Sequence, residues 1–489
     1  MLIVILPLIA APLCIIARHS FAAFLIALTA NSISVLLAVA VVRRVIDGSV
    51  IHYSLGGWIA PTGIEYYIDT LNGVLLLIIS LLSFLALIFA KDSIQQEISK
   101  ARHYLFYAGW LMCLVGLLGM VITGDAFNVF VFLEISSLSM YMLIALGKQR
   151  RQAILAAFRY LMMGSIGASF ILLGIGFLYA ATGTLNMLDL SERLPGVGQS
   201  RTVLVGFSFI TVGLLIKTAV FPVHSWLANT YQFAPSSIAV FLAGTATKVS
   251  LYVFLRFFFH VFGQDYSFAQ MLLDNILLPL VVIGFFVMSI VAVYQTDIRR
   301  VLAYSSIAQI GYIFVALIMA TESGLTAGII HMINHAFIKA ALFVAAGCIA
   351  YRLGSTRIKD MSGLVVHMPW TTSAFIIAGL SLIGIPLTAG FISKWHLIAA
   401  TIESGWWLIA LMILLSSLIA IVYIGKIIEV FCFGSQPNSQ GRAVIQEAPL
   451  SMLLPLWILI IISLYTGINA DVVVSLAAQS ADQLLGTMQ

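Results

Sequence analysis

The chain has 489 residues, of which 62% are hydrophobic and only 9% are charged, with a mean hydropathy of +1.09. A water-soluble domain carries about 25% charged residues because its surface must be solvated, so this composition excludes a soluble globular enzyme and indicates that lipid is the main solvent. The net charge of +5 comes from basic residues scattered through short loops, a distribution that excludes a nucleic-acid-binding face.

Long apolar runs predict the membrane spans, because about 20 helical residues cross the hydrocarbon core. The pattern predicts an all-α integral membrane protein with about fourteen transmembrane helices and no soluble domain. The first run lacks the charged start of a cleavable signal, so we interpret it as a retained span. In chain order the predicted spans are 2–17, 21–42, 69–90, 104–123, 127–147, 153–181, 203–221, 237–262, 271–294, 300–320, 324–350, 370–398, 405–432 and 450–468.

The loops differ in their content of Lys and Arg, which predicts the orientation of the chain. Loops that follow even-numbered spans hold four basic residues, whereas loops that follow odd-numbered spans hold thirteen. Basic residues remain on the cytoplasmic side, so we expect a multi-pass protein of the cell (inner) membrane with both termini on the outer, periplasmic side. The thirteen are Arg18, Lys91, Lys100, Arg102, Lys148, Arg150, Arg151, Arg299, Arg300, Arg352, Arg357, Lys359 and Arg442, and the four are Arg43, Arg44, Arg193 and Arg201.

Two short motifs recur at nearly the same distance along the chain. Thr218-Ala219-x-Phe221 recurs from Thr388 at an offset of 170 residues, and Asp125 recurs as Asp297 at an offset of 172. Nearly equal offsets predict a duplicated five-helix unit, an organisation typical of transporters. The predicted division is 1–103 for helices 1–3, 104–262 for the first five-helix repeat, 263–432 for the second, and 433–489 for helix 14 and the tail.

Ionisable residues inside the predicted spans require an explanation, because a charge at the bilayer centre costs at least ~2.5–3.5 kcal/mol. Glu134 is the acidic residue that lies deep inside an apolar span. By default such a group marks a pathway for ions or protons. The alternative interpretation is a structural ion pair with a lysine on a neighbouring helix.

Lys217 and Lys394 lie beside predicted helix breaks near the middle of spans 7 and 12. Pro222 follows Lys217, and a Gly384-Ile385-Pro386 run precedes Lys394. Proline removes a backbone donor, so water and free backbone groups can surround an ammonium group at each break. Snorkelling to the interface is the competing interpretation, and it suits three residues near span ends better, namely Arg159, Arg256 and Lys426.

The remaining candidates lie in spans 8 and 11. Lys248 follows the small residues Gly244-Thr245-Ala246-Thr247, which allow close helix approach, and it lies near the centre of its span. His331, His335 and Lys339 are spaced at i, i+4 and i+8, so they share one helix face. This stripe favours a proton wire, since histidine titrates nearest physiological pH. A static ion pair, hydrogen-bonded core histidines, and zinc binding without an evident third ligand are the alternatives.

The four cysteines, Cys14, Cys113, Cys348 and Cys432, are isolated along the chain and form no CxxC motif. Such spacing provides no site for an iron–sulfur cluster, zinc or haem. The sequence therefore predicts no cofactor, no metal and no redox centre in this chain.

Six stretches resemble a known family. They match the proton-translocating antiporter-like membrane subunits, which include the large subunits of Mrp-type Na⁺/H⁺ antiporters and the membrane-arm subunits of respiratory complex I and related hydrogenases. The stretches are FLEISSLSMYML from Phe132, LLIKTAVFPVHSWL from Leu214, APSSIAVFLAGTATKVSLYVFLR from Ala234, TDIRRVLAYSSIAQIGY from Thr296, HMINHAFIKAALF from His331 and GIPLTAGFISKWHL from Gly384.

The resemblance implies a fold and a mechanism. The fold has 14 helices, two inverted five-helix repeats and broken helices 7 and 12. The activity is proton movement in exchange for Na⁺ or K⁺, with other membrane subunits as partners. The implied proton pathway runs through Glu134, Lys217, Lys248, His331, His335, Lys339 and Lys394.

Within the family, the length, the EISSLSMYML stretch and Lys394 are most similar to the D-type subunits of Mrp antiporters. One departure is the loop after Trp226, where residues 227–231 lack the acid and histidine found in many relatives. Three alternatives remain: a proton-pumping subunit of a NADH- or ferredoxin-linked quinone oxidoreductase or hydrogenase, a membrane subunit of a bicarbonate-uptake complex, and a structural scaffold.

Overall fold

The computed structural model describes residues 1–147, 150–433 and 446–486, and this part of the chain is nearly all helical. It contains 12 helices that are long and apolar enough to cross a membrane, which confirms the predicted class of all-α integral membrane protein. Of two shorter apolar helices, Leu2–Ala17 coincides with the first predicted span and Pro369–Ile383 with the first half of the twelfth. Lys148 and Arg442, which entered the loop count, lie outside the described residues.

The helices follow the predicted spans closely, with additional short helices in the loops. They are α1 (Leu2–Ala17), α2 (Ser20–Val45), α3 (Thr70–Glu97), α4 (His103–Ile122), α5 (Ala126–Ala145), α6 (Arg150–Thr182), α7 (Met187–Val197), α8 (Arg201–Thr218), α9 (Ser225–Phe233), α10 (Ser236–Phe241), α11 (Thr247–Leu255), α12 (Leu273–Val293), α13 (Ile298–Ile318), α14 (Glu322–Leu353), α15 (Leu364–His367), α16 (Pro369–Ile383), α17 (Ala389–Glu403), α18 (Trp407–Phe433), α19 (Leu450–Ile468) and α20 (Asp471–Leu485).

A two-stranded antiparallel hairpin lies between α2 and α3, where the sequence predicts a loop. Its strands are β1 (Ile51–Ser54) and β2 (Glu65–Ile68), and Ile51 pairs with Ile68. Strands of four residues give almost no periodic signal, because alternation needs a longer run to be distinguished from a loop.

Both predicted helix breaks are present in the structure. At the first, α8 ends at Thr218, Ala219 adopts a left-handed conformation with φ of 57°, and α9 begins only at Ser225. At the second, α16 ends at Ile383 and Gly384 has φ of 97°, a conformation that glycine adopts without steric cost. Broken helices expose backbone polar groups inside a membrane protein, which is tolerated where they line a site or are covered by protein.

The eighth predicted span is continuous but irregular. A π-helical turn at Leu242–Ala246 joins α10 to α11, so that the whole apolar helix runs over Ser236–Val261. A β-carbon at Gly244 would lie 3.0 Å from a methyl carbon of Leu82 and 3.6 Å from the β-carbon of Ala340. The close approach predicted for this small-residue segment is therefore present, and it brings α3 and α14 against the turn.

Helix α14 is the centre of the bundle. Every residue from Gly324 to Ile349 is buried, and the helix packs against α10, α13, α16, α17, α19 and α20. A helix that is buried all round lies inside a bundle rather than at its lipid-facing surface. The polar stripe of α14 is therefore enclosed by protein.

The two recurring aspartates occupy the same local structure. Asp125 caps α5 by accepting a hydrogen bond from the backbone N–H of Asn128 at 2.7 Å, and Asp297 caps α13 through the N–H of Arg299 at 2.9 Å. Each aspartate also forms an isolated antiparallel bridge with a residue about 60 positions later, Asn186 and Arg357 respectively. Side-chain caps of this kind fix where a helix begins.

Candidate functional site

Lys217 and Glu134 lie near each other where α8 meets α5. Lys217 is only 6% exposed, and its Nζ donates to the hydroxyl of Ser137 at 3.0 Å. Glu134 lies one turn before Ser137, and its buried Oε1 has no hydrogen-bond partner among the described residues. Lys217 and Glu134 are close enough to interact electrostatically. They are not among the four ion pairs that the described residues form. The direct structural ion pair is therefore not formed.

Lys248 is buried at the π-helical turn. Its Nζ donates to the carbonyl oxygen of Ala243, a residue of that turn. A π-turn of this kind is often found at functional sites, because it frees a backbone carbonyl inside a helix.

The histidine stripe of α14 forms as the spacing predicts. The rings of His331 and His335 stack with centroids 6.0 Å apart. Nδ1 of His331 is 2.9 Å from the hydroxyl of Ser393 on α17, whereas Nε2 of His331 and both ring nitrogens of His335 lack a hydrogen-bond partner within the described chain. Asn334, beside the stripe, donates to the carbonyl of Ala389 at 2.8 Å. The stripe is thus polar, enclosed and only partly hydrogen-bonded.

Lys339 continues the stripe further along α14. It is fully buried, and its Nζ donates to the carbonyl of Leu302 at 3.0 Å and to the hydroxyl of Ser305 on α13. Both acceptors are neutral oxygen atoms.

Lys394 lies at the second helix break. Its Nζ donates to the carbonyl of Ile383 at 2.8 Å, which is the last residue of α16, and to the hydroxyl of Ser417 on α18 at 2.9 Å. The ammonium group also lies 5.5 Å from the centre of the Tyr312 ring, within the range of a cation–π contact. The helix break therefore supplies a free carbonyl to this lysine.

These groups form two clusters. Lys248 acts electrostatically on His331, His335 and Lys339, and Lys394 acts on His331. No hydrogen bond or ion pair within the described chain joins these five residues to the pair formed by Lys217 and Glu134. The structure thus brings together the residues of α11, α14 and α17 and leaves α5 and α8 as a separate cluster.

The four buried lysines share one chemical property: their hydrogen-bond partners are hydroxyl and carbonyl oxygens rather than carboxylates. A buried ammonium without a neutralising partner is costly, so this environment also accommodates the neutral amine. Arginine could not adapt in this way because it does not lose its proton in proteins. The arrangement is therefore suited to exchanging protons. The lysine partners Ser137, Ser305 and Ser417, and Ser393, which contacts His331, were not predicted, because serines in apolar helices commonly bond to their own backbone.

One prediction about charged residues is wrong. Arg256 does not snorkel: it is 3% exposed and forms a buried ion pair with Asp69, the residue that caps α3. A residue close to a span end in sequence can still face the protein interior, and the partner lies 187 residues away. Arg159 and Lys426 are not buried, and Lys426 reaches the carbonyl of Val293 at 3.2 Å.

Comparisons with known proteins give a family match and similar chains. The family described as "NADH:quinone oxidoreductase/Mrp antiporter, TM" matches residues 123–420. The chain is 38% identical to the N subunit of NADH-quinone oxidoreductase from Desulforudis audaxviator, covering 91% of this chain and 90% of that one. It is 32% identical to the D subunit of the Na⁺/H⁺ antiporter from Alkalihalophilus pseudofirmus, covering 88% and 85%.

Solved structures show the same fold. A chain of the Mrp complex from Dietzia sp. matches with a TM-score of 0.89 at 25% identity, covering 99% of this chain and 96% of that one. A chain of an archaeal membrane-bound sulfane sulfur reductase matches with a TM-score of 0.90 at 30% identity, covering 99% and 97%. With a family match over more than half its length, the chain belongs to the NADH:quinone oxidoreductase/Mrp antiporter transmembrane family.

Proposed function

We propose that this chain is the proton-translocating subunit of a multisubunit cation/proton antiporter of the Mrp type, equivalent to the D-type subunit, and that it moves H⁺ in exchange for Na⁺ or K⁺. The observation that carries the proposal is the set of four enclosed lysines held by neutral oxygens. Each can exist with or without its proton, which a relay requires. The relatives named as the D subunit of a Na⁺/H⁺ antiporter support the same activity.

The proposed relay joins the two clusters described above. Protons would pass from the Glu134 and Lys217 cluster to Lys248, along His331, His335 and Lys339, and on to Lys394, with water bridging groups that do not touch. The charge of one group acts on the next, because Coulomb interactions are large where solvent screening is poor. In this scheme, Glu134 tunes Lys217, and Lys248 links the two halves.

The two halves are proposed to be inverted five-helix repeats. Three features support the duplication: the aspartate caps of α5 and α13, the bridges that follow them at a similar distance, and a helix break in each unit. Lys217 precedes its break and Lys394 follows its own, so the two lysines do not occupy equivalent positions in the two units. The proposed orientation, with both termini outside, rests on the loop charges alone.

The exposed helix break between α16 and α17 supports the presence of partner subunits. Each helix has 15 residues, so the break lies near the bilayer midplane. There, Ile385 is 41% exposed and Leu387 is 69% exposed. Irregular backbone does not face lipid within the hydrocarbon core, so we expect another membrane subunit of the complex to cover this segment.

A second candidate function is proton pumping in a redox-linked membrane complex. It is favoured by the 38% identity to a NADH-quinone oxidoreductase subunit and by the structural match to a sulfane sulfur reductase complex. In that case the redox centres would belong to other chains. Purifying the intact complex and identifying its partner chains by mass spectrometry separates the two: small antiporter subunits support the first, and iron–sulfur subunits support the second.

Single substitutions in the cluster of Glu134 and Lys217 test the transport proposal. Lys217→Ala and Glu134→Ala are each expected to abolish cation/proton exchange in everted membrane vesicles, because each removes a group that carries or tunes the proton. Native gel electrophoresis should show an assembled complex in both cases. Exchange at the parent rate by either assembled variant would remove that residue from the pathway.

A further inference from the structure

A second polar row extends from Lys248 along the same helix. Lys248, Tyr252, Arg256 and His260 recur every four residues within Ser236–Val261, the first two in α11 and the last two in a π-helical segment, Arg256–Val261. Two consecutive members of the row are in contact: Arg256 Nε donates a hydrogen bond to the Tyr252 hydroxyl at 3.1 Å. The row ends at His260, on the side that the loop charges predict to be outside.

His260 lies between two cavities. The first is an open pocket of about 480 Å³, lined by His260, Gln199, Gln264 and Gln270 among others. The second has a volume of about 10 Å³ and is lined by His260, Tyr252 and Arg256, together with residues of neighbouring segments. A cavity of that size holds about one water molecule. His260 therefore contacts both the open pocket and the inner end of the row.

The inner cavity is bounded by a fixed network. Arg256 pairs with Asp69, and Asn72 donates to the Tyr252 hydroxyl at 2.9 Å. The Tyr252 hydroxyl in turn donates to the carbonyl of Val121 at 3.0 Å. The positive charge of Arg256 is compensated by Asp69, so the network places no net charge across the row. A space for one water molecule is too small for hydrated Na⁺ or K⁺, whereas a proton can cross it by exchange between hydrogen-bonded groups.

The charges around His260 come from few elements. Arg256 and Asp69 act on it most directly, and the Tyr67 ring of β2 lies 5.8 Å from its own ring. Asp265 lines the open pocket on the same segment, and the other walls, from α7 and α20, are lined by uncharged side chains. Neither ring nitrogen has a hydrogen-bond partner in the described residues. The imidazole thus borders the pocket without a protein hydrogen-bond partner among the described residues.

We propose that His260 is an outward-facing proton-binding site that exchanges protons between the outer medium and Lys248, the middle group of the relay, while the single-water cavity excludes metal cations. The inference rests on the proposed function, because it adds an entrance to the same relay. In this proposal the ion pair of Arg256 and Asp69 lines the entrance and does not itself exchange protons.

Accessibility tests the position of the site without measuring transport. In a cysteine-free background of the intact complex, His260→Cys is expected to react with a membrane-impermeant methanethiosulfonate added to intact cells, and Phe254→Cys, buried one and a half turns earlier, is expected to remain unlabelled. Labelling of His260→Cys only from the cytoplasmic side, or at neither side, would overturn the proposal.

The function of the site is tested by varying the pH on one side only. In everted vesicles, the lumen corresponds to the outer medium. His260→Phe keeps the ring contact with Tyr67, and His260→Gln keeps a polar side chain without a titratable proton. Both are expected to lose the dependence of exchange rate on lumen pH that the parent shows, and to keep the dependence on bath pH. Gln270→Ala, in the same pocket, is the control and should behave as the parent.

The two proposals fail in different ways. Lys248→Ala should abolish exchange if the relay is correct, whatever the role of His260. If Lys248→Ala is inactive while His260→Phe and His260→Gln retain the parent's dependence on lumen pH, the outer site is wrong and the relay stands. If Lys248→Ala exchanges cations at the parent rate, the relay itself is wrong.

Discussion

Neutral oxygens hold the buried lysines of this protein. Lys217 binds Ser137, Lys339 binds Ser305 and the Leu302 carbonyl, and Lys394 binds Ser417 and the Ile383 carbonyl. By contrast, Arg256, which cannot deprotonate, is paired with the carboxylate of Asp69. The buried arginine therefore has a carboxylate partner, whereas the buried lysines have neutral oxygen partners. This difference matches their chemistry, because lysine can lose its proton and arginine cannot.

His335 provides a test at the residue scale. His335→Phe keeps a planar ring in the stack and removes two buried nitrogens that lack partners in the described chain. We expect the variant to lose transport and to be at least as stable as the parent, since an unpaired buried polar group costs about 1–3 kcal/mol. Thermal unfolding of the purified complex and exchange in vesicles measure the two effects.

His331→Phe is the matched comparison, because it also removes a contact with Ser393. It should be less stable than His335→Phe. Normal exchange by His335→Phe would show that His335 is a packing residue.

At the scale of helices, the second break depends on a very close approach. The backbone N–H of Gly390 donates to the Ser381 hydroxyl at 3.2 Å, and a β-carbon at Gly390 would overlap the Ser381 carbonyl. Gly390→Ala is therefore expected to lower the free energy of unfolding by about 1–3 kcal/mol, the usual cost of overpacking. Differential scanning calorimetry of the solubilised complex would measure it.

Gly425→Ala is the control for that experiment. A β-carbon there would meet no atom within 4 Å, so alanine should be neutral or slightly stabilising in α18. Equal stability of the two variants would mean that α16 and α17 can separate without cost, contrary to the tight break described above.

The sequence was sufficient to predict the spans, both breaks and the histidine stripe, because each has a local signal: an apolar run, a proline or glycine, and i, i+4 spacing. The pairing of Arg256 with Asp69, and the serine hydroxyls that hold the lysines, join residues that are far apart in sequence. Such contacts depend on how helices pack, which a single sequence does not specify. The hairpin of β1 and β2 was missed because its strands are too short to show alternation.

At the scale of the whole molecule, the direction of transport depends on how the chain is oriented in the membrane. In a cysteine-free background, Thr62→Cys, in the exposed loop of the hairpin, should react with an impermeant maleimide in intact cells. Lys100→Cys, exposed between α3 and α4, should react only in everted vesicles. We expect this labelling pattern because basic residues are in excess in the loops after odd-numbered spans, and such loops remain in the cytoplasm. The reverse labelling pattern would place both termini in the cytoplasm.

A proton relay of this kind requires that the buried lysines change protonation state during transport. Lys394 tests it directly, because Lys394→Arg retains the positive charge and removes the ability to lose a proton. In everted vesicles that contain the assembled complex, we expect Lys394→Arg to lose exchange at every pH, and Lys394→Glu, which is titratable, to retain part of it. Exchange by Lys394→Arg equal to that of the parent across the same pH range would show that Lys394 is a structural cation, and would contradict a relay that ends there.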